Sequence, residues 1–166
     1  MTRTIFSRMT ALLISIWLTA LSINPPVFAT PQHRCAKQGI IALADGSALN
    51  TRLAIDGLSK FRGLAGISAD EFGMHDAMLF LYRHEGPRAV WLSSTPFSLD
   101  IFYLDDALVV TAIHRNLNRR ETPTATVIAR HFLEMRSDSR YAKKIRQGEQ
   151  LSWISQPQLN EIIYCY

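Results

Sequence analysis

Two carboxylates surrounded by apolar residues are the side chains of this sequence best suited to acid–base or binding chemistry. Asp100 and Glu134 each lie inside an apolar run. A carboxyl group in such surroundings must be hydrogen-bonded, ion-paired or protonated, and carboxyl groups with shifted pKa values cluster at functional sites. In one cleft, the two could be the acid and the base of a hydrolase. Alternatively, Asp100 caps local backbone groups in the turn before it. Arg88 and Arg130 are the expected cationic partners of either carboxylate.

Polar residues just before Asp100 extend this candidate site. In an extended strand, Trp91, Ser93 and Thr95 share one face. We predict that these three side chains, together with Asp100 and Glu134, bind a ligand. Within this set, we expect Trp91 to be mostly packing and Asp100 to be partly exposed at the rim of a shallow cleft.

The sequence lacks the signatures of familiar enzymes. It has no Gly-x-Ser-x-Gly elbow, no His-Glu-x-x-His, no phosphate-cradling glycine loop and no Cys-x-x-Cys. No two of its five histidines have the spacing of metal ligands on one element: His33, His75, His84, His114 and His131. We therefore predict no metal, no cofactor and no assigned catalytic residue. The leading hypothesis is a non-enzymatic module that binds a small ligand or an envelope partner, and the alternatives are the hydrolase and a structural accessory to another envelope protein.

The elements that must position these residues are short. Many brief apolar runs and no regular strand–helix alternation predict a mainly β domain, an antiparallel sandwich or barrel-like fold with two or three short helices. Turn residues at Asp45-Gly46 and Asp105-Asp106 predict two hairpins. Helical spacing predicts a short helix or turn over 56–64, with Asp56 as its cap. Further predictions are a strand over 89–94, a surface loop over 115–126, a basic helix from Ser137 or Asp138 to Ile145, and a final strand over 162–166.

The first twenty-nine residues predict export. Arg3 and Arg8 precede an uncharged, mostly apolar run of 13 residues over 11–23, and small residues before position 30 suit signal peptidase. A spanning helix needs about 20 residues, so a retained anchor is the weaker interpretation. We expect cleavage after Ala29 and a mature single domain over 30–166 in the periplasm or secreted.

Charge and cysteine content narrow the partners. The formal net charge is +4 and falls to +2 with loss of the leader. A positive charge this small does not predict nucleic-acid binding. In an oxidising compartment Cys35 and Cys165 are expected to form a disulfide. Basic residues late in the sequence predict either a solvated face or weak contact with acidic envelope surfaces: Arg115, Arg119, Arg120, Arg136, Arg140, Lys143, Lys144 and Arg146. The oligomeric state is not indicated.

Six short blocks, in order and at similar spacing, resemble a known family. They are Arg62-Gly63-Leu64, Met78-Leu79-Phe80, Trp91 with Thr95, Leu99-Asp100-Ile101, Leu133-Glu134 and Gly148-Glu149. The sequence is similar over about 39–154 to the bacterial and archaeal family called domain-of-unknown-function 192. The resemblance implies a small, mainly β, sandwich-like domain that is often exported and has no established activity.

This sequence departs from the family pattern at polar positions. Ser93 and Ser94 stand where the family has Lys and Asn, and Ala77 stands where it has Gly before Met-Leu-Phe. Ser98 replaces a Pro, and Ala65 replaces a Met. If the Lys and Asn form a polar site in the family, this member has lost part of that site or binds a different ligand.

Overall fold

A computed structural model describes residues 37–155 and shows a mainly β fold, as predicted. Within these residues the chain forms nine strands, one α-helix and one 3-10 turn. They are β1 (Lys37–Ala42), β2 (Ala48–Ala54), α1 (Gly57–Arg62), β3 (Asp76–Phe80), β4 (Gly86–Arg88), β5 (Leu99–Leu104), β6 (Val110–Leu117), β7 (Val127–Ala129), β8 (His131–Arg136), the 3-10 turn (Ala142–Lys144) and β9 (Ser152–Ser155). The predicted leader, disulfide and final strand lie outside the described residues.

Seven of the strands form one mixed sheet. Its order is β6-β5-β8-β3-β2-β1-β9, and β4 pairs with β7 in a separate small sheet. Both predicted hairpins are confirmed, β1–β2 and β5–β6. Gly46 allows the first turn through its positive φ of 79°. The prediction of a purely antiparallel sheet misses one pair, because β2 and β3 run parallel and are joined by a crossover that contains α1.

Both faces of the large sheet are covered, as in a sandwich. The turn face carries Ile41 and Phe102 and is covered by the 3-10 turn and the segment that follows it. The helix face carries Phe80 and Tyr103 and is covered by the segments after α1 and before β5. Every residue of β5 is therefore buried, which explains why its sequence is apolar on both sides.

The predicted helices differ in outcome. The first is confirmed: Asp56 caps α1 by accepting a hydrogen bond from the Ser59 N–H, and the Ser59 hydroxyl accepts one from the Asp56 N–H. The predicted basic helix is largely wrong, because only the 3-10 turn forms there. Within residues 37–155, no helix has the length and apolarity needed to cross a bilayer.

The predicted strand over 89–94 is also wrong. The strand in this region is β4, and the chain then turns, with the Thr95 N–H donating to the Leu92 carbonyl at 3.4 Å. Another link of this segment runs from the Gly66 N–H to the Ser94 carbonyl at 3.2 Å. These bonds hold the segment as an irregular cover on the helix face, so strand alternation does not apply to it.

Candidate functional site

A β-bulge on β6 places a basic residue against Asp100. Leu99 pairs with Leu117 and Ile101 pairs with His114, so two residues of β6, Arg115 and Asn116, stand opposite Asp100 alone. Asn116 takes a positive φ of 50°, which Asn tolerates better than most residues. Bulges re-aim side chains and occur often beside functional sites. Here the bulge brings an Arg side chain and a main-chain N–H to one carboxylate.

Asp100 is buried and fully engaged, and its exposed fraction is only 3%. One carboxylate oxygen accepts from Arg115 Nη1 at 2.6 Å, and the other accepts from the Asn116 N–H at 2.8 Å. The expectation of a partly exposed Asp100 at a rim is therefore wrong. The side chain that reaches solvent is its partner Arg115, which is 37% exposed.

The Arg115 guanidinium is held on three sides. Nη1 also donates to the Ala142 carbonyl and Nη2 donates to the Ile145 carbonyl, both at 2.7 Å. Its carbon lies 4.9 Å from the centre of the Phe102 ring. One Nη2 hydrogen and the Nε hydrogen have no acceptor among residues 37–155. The guanidinium is thus fixed in place, with donors left for another acceptor.

A pocket of about 340 Å³ opens beside this guanidinium. Three cations and one carboxylate line it, giving a net charge of +2, together with the side chains of a serine and an asparagine: Arg115, Lys143, Arg146, Asp100, Ser137 and Asn116. The Lys143 ammonium makes no hydrogen bond or salt bridge with the described part of the chain. Since Asp100 is already neutralised by Arg115, the pocket presents positive charge to solvent.

A larger depression, about 500 Å³, lies at the other end of the sheet and lacks this uncompensated charge. Among the described residues that line it, the charged side chains are Arg52 and Asp76. Arg52 donates to the Glu71 carbonyl, and Asp76 accepts from the Gly73 N–H and the Asn50 amide. Both charged groups thus have other partners and their charges cancel, so the smaller pocket is the better candidate for binding a charged ligand.

Glu134 lies on the opposite face of the sheet from Asp100. It pairs across the sheet with Met78 and Ile101, whose side chains belong to the apolar cluster of the helix face. Asp100 lies two residues before Phe102 in β5, so its side chain points to the turn face, like that of Phe102. One cleft cannot hold both carboxylates, so the hypothesis of a hydrolase using them as an acid–base pair is wrong.

The environment of Glu134 is apolar and buried. Among residues 37–155 no hydrogen bond or salt bridge reaches its carboxyl group. Burial therefore raises its pKa to about 8, so that the folded protein holds it protonated at neutral pH. A neutral acid inside a core cannot attract a charged ligand, and Glu134 takes no part in the pocket.

Trp91, Ser93 and Thr95 do not share one exposed face. Trp91 is 65% exposed, Ser93 is half-buried and Thr95 is buried. The expectation that Trp91 is mostly packing is wrong, because the turn at 92–95 points Leu92 into the core instead. This segment covers the helix face, whereas Asp100 belongs to the turn face, so the structure does not bring the five predicted residues together.

The expected cationic partners reach neither carboxylate. Arg88 donates to the His84 carbonyl and lies 3.7 Å from the centre of the Tyr82 ring. Arg130 approaches Asp106 at 3.3 Å. The three cations of the pocket, Arg115, Lys143 and Arg146, are among the late basic residues that the sequence analysis identified. No sequence pattern predicts the bulge that brings Arg115 to Asp100. The sequence analysis also did not predict Ser137 and Asn116 as site residues.

The fold and these residues define a member of an uncharacterised class of small mainly β domains. Residues 40–153 match the family DUF192, described as uncharacterized ACR, and the chain belongs to that family. The resemblance noted from six sequence blocks is thereby confirmed.

Two solved structures share the fold. One, from Sinorhizobium meliloti 1021, is described as a candidate transcription regulator; it has a TM-score of 0.63 and 19% identity, covering 71% of this chain and 95% of that one. The other, from Novosphingobium aromaticivorans DSM 12444, is of unknown function; it has a TM-score of 0.63 and 20% identity, covering 75% of this chain and 90% of that one. No curated protein matches the chain. At this identity the likeness shows the fold alone.

Proposed function

We propose that this chain is an exported, periplasmic, non-enzymatic domain that binds a small anionic ligand in the pocket beside Arg115. The observation that carries the proposal is the guanidinium of Arg115, held by a buried carboxylate and two carbonyls while part of it faces a pocket with two more cations. A donor fixed before binding loses little entropy when a ligand arrives. Export is supported by the charge and apolar pattern of residues 1–29.

The lining defines the ligand class. Arginine and lysine donors arranged around one space favour a compact oxyanion, a phosphate or carboxylate group on a small molecule. The volume of about 340 Å³ lies at the small end of ligand pockets. Asp100 acts as a positioning residue: it orients Arg115 and is itself shielded from the ligand by that contact.

Removing the two solvent-facing cations should weaken anion binding without unfolding the protein. The variant Lys143→Ala/Arg146→Ala is expected to bind inorganic phosphate at least tenfold more weakly than the wild type, because each charge-assisted contact contributes about 1.5–3 kcal/mol. Titration calorimetry at low ionic strength measures this change. Affinity of the wild type should also fall as salt rises.

A matched variant separates the pocket from overall charge. Arg119→Ala/Arg120→Ala also removes two positive charges, but from the exposed loop after β6. It should bind phosphate like the wild type. Equal weakening in both double variants, or no phosphate binding by the wild type, would contradict the proposal.

A further inference from the structure

The helix α1 presents its side chains outward. None of its residues is buried, and Phe61 is 88% exposed and Leu58 52% exposed. The two lie three residues apart, on one side of the helix. Single exposed apolar residues are common, but two neighbouring large ones on a helix without buried residues mark a contact surface.

A capping box, the Lys60 side chain and the C-terminal end of α1 keep the helix in place. Asp56 and Ser59 form the capping box at its start. At its end, Gly63 lies so close to Phe80 that a Cβ on Gly63 would stand 3.3 Å from the ring, and its φ is positive at 48°. The next residue, Leu64, is buried in the cluster of the helix face. Both ends of the helix are therefore held in place while Leu58 and Phe61 face solvent.

Four cations lie on α1 or within electrostatic reach of its Lys60. Lys60 lies 4.3 Å from the centre of the Tyr82 ring, and Arg88 lies 3.7 Å from the same ring. Partial burial lowers the pKa of Lys60; Asp56 opposes that shift, and the like charges of Arg88 and Arg83 reinforce it. Arg62 ends the helix and is exposed. Against these four cations stand the capping Asp56 and the loop residue Glu85, so the surface is net positive.

We infer that this helix surface, made of Leu58, Lys60, Phe61, Arg62, Arg83 and Arg88, docks onto an anionic phospholipid bilayer. Protruding apolar side chains interleaved with cations are typical of helices that lie in a membrane interface, where the apolar groups enter and the cations meet phosphate groups. A protruding Phe61 fits a soft lipid surface, and the charge fits anionic headgroups. The proposal does not depend on the anion pocket, which lies on the turn face, whereas Leu64, just after α1, packs into the cluster of the helix face.

Vesicle binding tests the inference directly. The protein, as isolated from cells, is sedimented with vesicles of phosphatidylcholine and phosphatidylglycerol (3:1) and with vesicles of phosphatidylcholine alone. We expect binding to the anionic vesicles that weakens at high salt. Phe61→Ser should bind about tenfold less, from the lost burial of its ring, and Arg62→Gln about fivefold less. The wild type and the variants are prepared in the same way, so any contribution of residues 1–29 to vesicle binding is the same in all of them.

Two control variants keep the test specific. Ile154→Ser removes a side chain that is 58% exposed on β9, and Arg119→Gln removes a loop cation. Both should bind like the wild type, and all four variants should keep the wild-type thermal midpoint because the altered side chains are exposed. The inference is overturned if the wild type ignores anionic vesicles, if Phe61→Ser binds equally well, or if Phe61 instead mediates a stable dimer in size-exclusion chromatography.

Discussion

Replacing Asp100 with asparagine is expected to destabilise the protein and to weaken phosphate binding together. The amide has one acceptor oxygen, so its NH₂ group must face either the Arg115 donor or the Asn116 N–H, where Asp100 accepts at 2.6 and 2.8 Å. Losing a buried charged acceptor costs about 2–3 kcal/mol, less than a fully buried pair would because Arg115 is 37% exposed. Thermal denaturation should show a midpoint about 5–10 °C lower.

A second aspartate–arginine pair supplies the control. Asp138 accepts from Arg136 at 2.7 Å, but Asp138 is 55% exposed. Asp138→Asn should therefore cost about 1 kcal/mol, because the pair is bidentate but the carboxylate is exposed to water. Asp100→Asn with wild-type stability would show that the ion pair does not hold Arg115. A loss of stability with unchanged phosphate binding would show that Asp100 is structural only.

Replacing Glu134 with glutamine is expected to remove most of the alkaline loss of stability. Burial raises the pKa of Glu134 from an ordinary 4.5 to about 8. The folded protein thus binds this proton more tightly than the unfolded chain, so the stabilising contribution is complete below about pH 4.5 and is lost as pH rises to about 8. Glutamine keeps the shape of the side chain and does not titrate.

His131 offsets the loss of unfolding free energy caused by Glu134 at pH values below 6.5. It is buried, and its Nδ1 accepts the Tyr82 N–H at 3.1 Å. Burial, reinforced by Arg130, lowers its pKa to about 4 from 6.5. The folded state then binds fewer protons than the unfolded chain between these values, so His131 makes stability rise between pH 4 and 6.5. The two effects oppose each other below pH 6.5.

The net expectation is a fall of about 2 kcal/mol in unfolding free energy between pH 6.5 and 8 for the wild type. Urea denaturation at pH 6.5 and pH 8.5 measures it, and Glu134→Gln should show almost no fall. Glu121→Gln, in the exposed loop, should behave like the wild type. A Glu134→Gln variant that loses as much stability as the wild type would mean that Glu134 is ionised in the folded protein.

The sequence predicts strands well where one local pattern decides them. The β5–β6 hairpin follows from apolar runs around Asp105, whose side chain accepts from the Ala107 and Val109 N–H groups. The capped start of α1 follows from Asp56 in the same way. Each of these features depends on residues adjacent in sequence, so a single sequence contains the necessary information.

Features that depend on tertiary contacts escape the sequence. The parallel pairing of β2 with β3 requires a crossover that no local pattern specifies. The segment after Val90 has strand-like residues, yet its bonds to Thr124 and its own turn make it irregular. Strand alternation therefore placed Trp91 and Thr95 on one face, whereas the first is exposed and the second is buried.

Of the residues that line the candidate site, the sequence analysis predicted Asp100 as a site residue, but it did not predict how the site is arranged. The apolar neighbours of Asp100 correctly mark it as a carboxylate that needs a partner. Its partner Arg115 depends on an extra residue in β6, which shifts the register of the hairpin. Glu134 carries the same sequence signal as Asp100, but the sheet separates the two by placing them on opposite faces.

Native mass spectrometry of the protein isolated from the periplasm tests the central claim most directly. We expect a polypeptide that begins at Thr30 and carries a small anionic molecule, in the wild type and in Arg119→Ala/Arg120→Ala. The same adduct should be absent from Lys143→Ala/Arg146→Ala, because the pocket has lost two of its three cations. Wild-type protein without any adduct, or an adduct retained by the pocket variant, would contradict the assignment of this pocket as the binding site.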